Sequence, residues 1–500
     1  MMQWRRHLTG AMLAATLTLP GCYALDPEMK RTVAERKSRE RLPNEPQSKT
    51  APSVPATELP VTDVPAIEVR RTVEHAGWPI PRPAVDAAAA SEASRAIAEV
   101  ATAYVEMSLE IGTHEKGYID AYYGPKQLFE TAAAKPRTKD ELLLSARRLA
   151  ERIRVAMPGL ADPIERRRAA FLTAQLRAAE TRLEMMQGVR FSFAEESERL
   201  FGVHPDLKPL SAYDAPLAAV AAILPGDKPL AERVETYLDR FTIPADRLQK
   251  VFDAAIARCR GRTATHVGMP QGESFDLQFV TGKSWSGYNY YMGDYHSIIQ
   301  VNTDLPIRLS RALDLGCHEG YPGHHLLNMK IEEQLVRGRG WVEFSIYPLY
   351  SPQSLIAEGT ANYGIDLAFP DKTRPDTERD ILMPLAEIAP PTDDIYWRLL
   401  DAMKALQGAR LTIAQQYLDG QIDRATALAL TQKYLLVSPA RAEQMTAFTD
   451  KYRSYVINYG LGEEIVRDFI ERGKPDRDEI WRRMALILGE PTLPADLLAP

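Results

Sequence analysis

Apolar residues at helical spacing recur along most of the chain and restrict it to a largely helical fold. In the first such stretch, Ile97, Val100, Tyr104, Met107 and Ile111 follow one another at intervals of three and four residues, and Gly112 ends the pattern. This spacing puts one apolar stripe on one face of an α-helix, and that face has to be buried. Helical periodicity returns from about residue 394 and continues nearly to the C-terminus.

Helix start signals support the same interpretation in the first half of the chain. Thr138 and Glu141 have the spacing of a capping box, which predicts a helix start at this point. Asp162 followed by Pro163 predicts the start of a longer helix that ends at Gly188. A further helix is predicted over residues 248–259.

A change of pattern after residue 274 predicts a sheet. Phe275, Leu277 and Phe279 alternate with polar residues, which is typical of a strand, and residues 297–301 predict another. Pro306 is then predicted to introduce a helix that reaches Leu315. The fold class predicted from these patterns is mainly α with one small β-sheet (α+β).

The first 22 residues have the features of an export signal. Arg5 and Arg6 precede a short apolar run from Leu8 to Leu19, which is shorter than the roughly 20 residues that span a bilayer. The run ends in Leu-Pro-Gly-Cys at residues 19–22, which resembles the lipobox of bacterial lipoproteins, so Cys22 is the predicted lipidation site. The alternative is an ordinary secretory signal. We predict an exported protein, lipid-anchored to the cell envelope at the periplasmic face of the outer membrane.

Residues 23–82 are rich in Pro, Glu, Thr and Val and show no apolar periodicity, so we predict a disordered tether between the anchor and the folded body. The folded body is predicted to comprise an N-terminal helical region, 83–265, and a zinc-binding catalytic region, 266–500.

Charge and cysteine content limit the partners and the redox chemistry. The 61 basic and 67 acidic residues give a net charge of -6, and no dense Lys/Arg run is present, so a nucleic-acid partner is not expected. Besides Cys22, the chain has Cys259 and Cys317. They could form a disulfide in an oxidising compartment or remain two buried thiols, and the sequence leaves both open.

Residues 317–325, Cys-His-Glu-Gly-Tyr-Pro-Gly-His-His, contain three of the nine histidines of the chain. In the zinc-protease signature H-E-x-x-H, two His one helical turn apart bind the metal, and the Glu beside the first reaches a water. Pro322 occupies the fourth position after His318, so this signature does not apply in its usual form. A His/Glu cluster around a Pro-Gly pair nevertheless favours a metal site over plain packing.

Helix geometry indicates what this segment needs in order to bind a metal. In a regular helix His324 would lie about 240° around the axis from His318, and His325 would lie about 10 Å along it. Pro322 cannot donate to the carbonyl of His318, and Gly323 permits unusual dihedral angles. We therefore predict a two-residue bulge at Pro322 and Gly323 that turns His324 towards His318, with His325 as the alternative ligand.

A catalytic zinc site usually takes three protein ligands and keeps a fourth position for water. Glu358 is the best third candidate, because it lies in a weakly polar run that predicts a second helix beside the first. Glu343 is an alternative in an aromatic-rich connector. Asp366, two turns after Glu358, is predicted to support the ligands from behind.

These segments together resemble the bacterial domain-of-unknown-function family 885, which belongs to the zincin-like clan of metallopeptidases. The matching pieces are residues 318–325, Glu358-Gly359 with Ala361 and Tyr363, and the stretch from Tyr288 to Asn302. The resemblance covers about residues 90–500. It implies a zincin-like helical metallopeptidase architecture, Zn²⁺ as the cofactor, His318, His324 and Glu358 as its ligands and Glu319 as the general base.

The resemblance extends to residues that would contact the substrate. Tyr459 is the expected oxyanion donor, with Arg453 and Tyr455 as nearby alternatives, whereas His325 and Tyr363 would support the ligands or bind substrate. The strand from Ile298 to Asn302 would line the cleft and hydrogen-bond an extended peptide. Thr360 stands where the family usually has Trp, and Pro-Gly-Gln is absent ahead of Tyr459.

The predicted function is that of a membrane-tethered zinc metallopeptidase, which cleaves peptide bonds with a metal-activated water and Glu319 as the base. A peptide is therefore the expected substrate. Two alternatives remain open: a non-catalytic envelope lipoprotein that keeps the fold and binds a partner, and a zinc hydrolase of non-peptide amides or esters. The sequence leaves the oligomeric state open.

Overall fold

Helices make up most of the computed structural model, which describes residues 91–499. The capping box at Thr138 and Glu141 is present, and Asp162 caps the helix that begins at Pro163, so both predicted helix starts are confirmed. The first helix continues two residues beyond Gly112 and ends at His114.

Eight helices of the described chain precede the larger sheet: α1 (Glu92–His114), α2 (Lys126–Ala134), α3 (Lys139–Ala156), α4 (Pro163–Met186), α5 (Phe193–Phe201), α6 (Asp214–Ile223), α7 (Leu230–Leu238) and α8 (Leu248–Ala264). The apolar stripe of α1 is buried as predicted, and α1 packs against α3.

Twelve helices of the described chain follow that sheet: α9 (Ser310–Leu315), α10 (His324–Ile331), α11 (Pro352–Ala368), α12 (Thr373–Thr377), α13 (Met383–Leu385), α14 (Ile395–Lys404), α15 (Ala409–Leu418), α16 (Arg424–Leu435), α17 (Pro439–Tyr452), α18 (Ile457–Glu471), α19 (Arg477–Gly489) and α20 (Pro494–Leu498). The predicted helical C-terminal part is confirmed. The helix predicted to start at Pro306 begins at Ser310, because the backbone of Ile307 pairs with that of Ile243 instead.

Two small sheets are present among residues 91–499, where the sequence predicted one. The strands are β1 (Ile119–Tyr122), β2 (Ser274–Val280), β3 (Gly287–Gly293), β4 (His296–Asn302) and β5 (Ile346–Pro348). β1 and β5 form an antiparallel pair, whereas the second sheet has the order β2-β4-β3. The extra pair was missed because each of its strands is short and its partner lies more than 200 residues away in the chain.

The position of β4 corrects one prediction about substrate binding. β4 is parallel to β2 and antiparallel to β3, so the hydrogen-bonding groups on both of its edges are occupied within the sheet. The strand from Ile298 to Asn302 therefore cannot add a peptide as a further strand. β3 is an edge strand of this sheet and lies beside the segment that carries His318 and Glu319.

A disulfide joins Cys259, in α8, to Cys317, the residue before His318. The structure thus favours pairing over two free thiols. The bond fixes the start of the His/Glu segment to α8 and crosses the predicted boundary at 265/266. The division into 83–265 and 266–500 itself stays a prediction.

The predicted export signal, the lipidation site Cys22 and the tether over residues 23–82 lie outside the described residues. Within residues 91–499, no helix combines the length and the apolar character that a bilayer span requires.

Glu343, the alternative third ligand, belongs to a buried ion pair. Its Oε2 accepts a hydrogen bond of 2.9 Å from Nη2 of Arg168, and both side chains are at most 5% exposed. The Arg168 guanidinium also lies 4.7 Å from the centre of the Trp341 ring. Glu343 therefore neutralises an arginine in the core and does not reach the histidines.

We expect Glu343→Gln to lower the free energy of unfolding by about 3 kcal/mol, because it leaves the buried charge of Arg168 without its partner. Chemical denaturation followed by circular dichroism measures this loss. Glu151→Gln breaks the exposed pair with Arg154 and should leave the midpoint unchanged. Equal midpoints for the wild type and Glu343→Gln would contradict the assignment.

Candidate metal centre

The helix that carries His318 breaks after Gly320. α9 continues into one turn of π-helix, Gly316–Gly320; Tyr321 is then extended, and α10 begins afresh at His324. The predicted distortion at Pro322 and Gly323 is thus present, but as a complete break between two helices rather than a bulge within one. A π-turn at this position is consistent with a functional site, where such turns frequently occur.

Only glycine fits at position 323. A Cβ on Gly323 would overlap the carbonyl oxygens of His318 and Cys317, and the Gly323 N–H donates to the Cys317 carbonyl at 3.1 Å. The connection therefore folds back tightly onto the π-turn. As a result, the rings of His318 and His324 meet edge to face with centroids 4.7 Å apart.

Glu358, from the middle of α11, completes the cluster. Its Oε2 lies 3.0 Å from His318 Nε2 and 3.6 Å from His324 Nε2. Potential ligand atoms of the three residues all lie within 4.8 Å of one another. The structure thus brings together the three residues that the sequence analysis selected as metal ligands.

The chemistry of this cluster fits a zinc ion. Glu358 Oε2 is buried and faces the Nε2 atoms of His318 and His324. A cation held between this oxygen and the two imidazole nitrogens would contact all three ligand atoms. Two His and one Glu form a donor set that is usual for catalytic zinc.

Hydrogen bonds behind the cluster orient two of these side chains. Asn362, one turn after Glu358, accepts a hydrogen bond of 2.9 Å from His318 Nδ1 through its Oδ1 and donates to the backbone carbonyl of Tyr459. The proton on Nδ1 leaves Nε2 with a lone pair that points at the cluster. Tyr455 donates to Glu358 Oε1 at 2.7 Å, so that Oε2 is the oxygen available for a metal.

A close helix contact places these supporting groups. A Cβ on Gly359 would overlap the Gly462 carbonyl oxygen, and a Cβ on Gly462 would lie 2.8 Å from the Leu355 carbonyl oxygen. α11 and α18 can therefore approach each other closely only because both residues are glycine. This contact brings Tyr459, at the start of α18, next to Asn362.

Glu319 lies against the edge strand. A Cβ on Gly287, at the start of β3, would lie 2.5 Å from Glu319 Oε1, and Asn289 donates to the Glu319 backbone carbonyl at 2.7 Å. Burial raises the pKa of Glu319, and the histidines His318 and His324 oppose this effect. Its carboxylate is thus held between β3 and the His/Glu cluster.

Asp120, in β1, adds a further carboxylate that the sequence analysis missed. It accepts a hydrogen bond of 2.9 Å from the hydroxyl of Tyr288, and burial raises its pKa to about 7. His324 opposes this rise through its charge, so Asp120 lies close enough to the cluster to affect it. No local pattern around residue 120 distinguishes this Asp from a surface residue.

Charge holds the cluster together in the metal-free protein. Burial alone would lower the pKa of His324, but the charge and hydrogen bond of Glu358, together with the charges of Glu319 and Asp120, outweigh burial and raise this pKa to about 9. Burial alone would raise the pKa of Glu358, but His324 and His318 bring it well below its usual range. At neutral pH, His324 is therefore protonated and Glu358 ionised.

His325 faces away from the cluster. It is fully buried, and its Nδ1 hydrogen-bonds with Ser297 at 2.7 Å, whereas its Nε2 lies 3.4 Å from Glu273. Glu273 also accepts a hydrogen bond from Tyr321 and pairs with Arg260. The structure therefore does not bring His325, the alternative second ligand, to the cluster, and its contacts with Ser297 and Glu273 hold the connection against the sheet.

Asp366, Tyr363 and Arg453 are the remaining candidates from the sequence analysis. Asp366 forms ion pairs with Lys404 and Arg467. These contacts do not support the prediction that it orients the metal ligands. Tyr363 lines a cavity whose wall also includes His318 and Glu358, and its ring lies under the Arg467 guanidinium. Arg453 pairs with Glu196 and does not reach the cluster.

Tyr459 is close enough to take part in chemistry. Its ring stacks on that of His318 with centroids 6.4 Å apart, and its hydroxyl forms no hydrogen bond within residues 91–499. A hydroxyl in this position can donate to a substrate oxygen.

The cluster opens into a cavity of about 2140 Å³ whose wall includes His318, Glu319, His324, Glu358 and Tyr459. Pockets for small ligands usually measure about 300–1,000 Å³. The space is therefore suited to a chain-like substrate larger than a single small molecule.

The chain matches no family model and no curated protein. Among solved structures it is similar to a "putative lipoprotein" from Colwellia psychrerythraea, with 14% identity and a TM-score of 0.45 over 72% of this chain and 68% of the other. It is also similar to an M32 carboxypeptidase from Deinococcus radiodurans R1, with 14% identity and a TM-score of 0.33 over 81% and 93% of the two chains. Likeness at this level supports no argument about chemistry, and the resemblance to family 885 stays a prediction.

We expect Zn²⁺ affinity to rise from pH 7 to pH 9, because His324 has to lose its proton before its Nε2 can bind the ion. With a pKa of about 9, His324 holds this proton at pH 7 and loses it as the pH passes 9. The proton of His324 is therefore released on binding at pH 7 and is already absent above pH 9, so the number of protons released should fall as the pH rises. Zinc calorimetry in buffers of different ionisation enthalpy counts the protons.

The exposed His204→Gln variant should show the wild-type proton count, whereas His324→Gln should bind zinc weakly. A proton count in the wild type that does not change between pH 7 and pH 10 would mean that His324 is not a ligand.

Proposed function

We propose that the protein is a zinc-dependent peptidase with His318, His324 and Glu358 as the metal ligands and Glu319 as the general base. The observation that carries this proposal is the convergence of two imidazoles on one buried carboxylate oxygen, with potential ligand atoms of the three residues within 4.8 Å of one another. A zincin-like architecture, implied by the family resemblance, is part of the proposal.

Glu319 has the position and environment of a base. Zn²⁺, when bound, supplies a Lewis acid that makes water a nucleophile near neutral pH. Glu319 takes the proton of the attacking water and delivers it to the leaving amine. The raised pKa of Glu319 suits this exchange, because a carboxylate that is a stronger base takes up a proton more readily.

Tyr459 supplies a hydroxyl to the oxygen on which charge develops. Its ring lies beside His318, and its hydroxyl has no partner among the described residues, so it can donate to a substrate carbonyl oxygen without breaking a bond. Tyr455 serves differently: it donates to Glu358 Oε1 and thereby fixes the ligand. The two tyrosines therefore have separate proposed roles, Tyr459 towards the substrate and Tyr455 towards the metal ligand.

A peptide is the substrate we favour, and β3 is the strand that would align it. β3 is an edge strand that passes Glu319 at Gly287, so an extended peptide could pair with it and bring a scissile carbonyl to the cluster. The size of the cavity also suits a chain.

We propose that the protein acts outside the cytoplasm, tethered through lipid on Cys22. The lipobox-like ending of the first 22 residues supports this location. The Cys259–Cys317 disulfide agrees with it, since such bonds persist in oxidising compartments.

We expect the purified zinc protein to cleave members of a mixed peptide library, and Glu319→Gln to lower the rate at least about 100-fold with zinc content unchanged, because the base is lost and the ligands remain. Mass spectrometry of the products and elemental analysis measure both. A chelator should abolish cleavage and added zinc restore it.

The matched control is Glu232→Gln, an exposed glutamate on α7 that should leave the rate unchanged. Full activity in Glu319→Gln would refute the mechanism. A zinc protein that cleaves esters but no peptide would indicate the non-peptide hydrolase, and one that cleaves neither would indicate a binding lipoprotein.

We expect Gly287→Ala to lower kcat by about 10-fold or more, because the new methyl group would push Glu319 away from its place beside the cluster. Zinc content should not change, since Gly287 contacts no ligand. Gly261→Ala, in α8, adds a methyl group where no atom lies within 4 Å and should preserve activity. A normal kcat in Gly287→Ala would contradict the expectation that catalysis depends on the position of Glu319 beside β3.

A further inference from the structure

Arg410, in the first turn of α15, lines the same cavity as the His/Glu cluster. Its Nε is buried and has no hydrogen-bond partner, and its guanidinium forms no ion pair with any carboxylate within residues 91–499. Leaving a buried cation without an anion is costly, so such a group in a cavity wall is unusual.

Most other arginines of this cavity are neutralised. Arg308 pairs with Glu235 and Asp239, Arg374 with Asp314 and Glu378, and Arg467 with Asp366 and Glu463; these are ion pairs within the described chain. Arg410 differs from them because its neighbours are aromatic. The guanidinium lies 5.4 Å from the centre of the Phe448 ring and 5.5 Å from that of Tyr459.

These rings hold the cation in place without neutralising it. An aromatic ring within about 6 Å attracts a guanidinium but, unlike a carboxylate, accepts none of its N–H groups, which stay available for a bidentate acceptor. Burial lowers the pKa of Arg410, an effect that the charge of the nearby Glu358 carboxylate opposes. An anion in contact with Arg410 would relieve this burial cost.

The distance between Arg410 and the His/Glu cluster indicates which part of a bound substrate Arg410 could contact. Tyr459 lies next to both groups: its ring is 6.4 Å from that of His318 and 5.5 Å from the Arg410 guanidinium. An extended peptide advances about 3.3–3.6 Å per residue. The His318 ring and the Arg410 guanidinium are therefore at most about 12 Å apart, so up to about three residues of an extended peptide separate a carbonyl held at the cluster from a group held by Arg410.

We propose that Arg410 binds a carboxylate of the substrate within about three residues of the scissile bond. This inference rests on the proposed peptidase function and adds a substrate class to it: peptides with a carboxylate close to the cleavage point. That carboxylate is either the C-terminal α-carboxylate, which makes the enzyme a carboxypeptidase, or the side chain of Asp or Glu.

Four fluorescein-labelled hexapeptides of one parent sequence separate these sources. They carry a free C-terminus, a C-terminal amide, an amide with one internal Asp, and an amide with Asn at that position. Fluorescence anisotropy with the zinc-loaded Glu319→Gln protein measures binding without cleavage, and kcat/KM of the wild type measures turnover.

We expect one carboxylate peptide to bind about 10- to 100-fold more tightly than its amide counterpart, as charge-assisted hydrogen bonds do. Arg410→Gln should remove this preference and leave the Kd of the amide peptides unchanged. Arg410→Lys, which keeps the charge but loses the bidentate geometry, should retain part of it. Zinc content and Tm show whether each variant is folded.

Arg398→Gln is the matched control, since Arg398 lines the same cavity but is exposed and pairs with Asp394. It should keep the wild-type preference. A preference for the free C-terminus identifies the α-carboxylate, and a preference for Asp over Asn identifies a side chain.

Equal affinity for carboxylate and amide peptides would overturn the inference even if the wild type cleaves all four. So would a preference that survives Arg410→Gln. If carboxylate binding depends on Arg410 but the protein cleaves no peptide, the proposed carboxylate site is supported and the proposed peptidase function is refuted.

Discussion

The close approach of Gly323 to the carbonyls of Cys317 and His318 is the constraint on which the centre depends. It allows the chain to end one helix and begin another within three residues, which a continuous helix could not do. Without this return, His324 would point away from His318 and no pair of imidazoles could face Glu358. The sheet and the C-terminal helices pack around the arrangement of side chains that this short connection creates.

The features predicted correctly from sequence were those encoded by neighbouring residues. The capping box at Thr138, the apolar stripe of α1 and the strands β2 and β4 depend on residues a few positions apart, and so did the distortion at Pro322 and Gly323. Glu358 could be selected as the candidate third ligand because few carboxylates lie in weakly polar helices, and the structure brings it to the two histidines. His325 could not be placed from sequence, since its orientation follows from Glu273 and Ser297, which belong to the sheet.

The residues that were missed reach the site over long distances in the chain. Asp120 comes from a strand whose partner is β5, and Arg410 from a helix that follows Glu358 by some fifty residues. Asn362 could have been found, because it stands one turn after Glu358 on the same face of the helix. The middle position of β4 required knowledge of strand order, which local alternation does not contain.

Asn362 joins the imidazole of His318 to the backbone carbonyl of Tyr459 through a single amide group. A displacement of the start of α18 therefore moves the hydrogen-bond acceptor of the histidine as well. Linkage makes this relation reciprocal: a molecule that contacts Tyr459 from the cavity side and shifts α18 would change the affinity of the proposed metal site for a cation, and the cation would change the affinity for that molecule by the same factor.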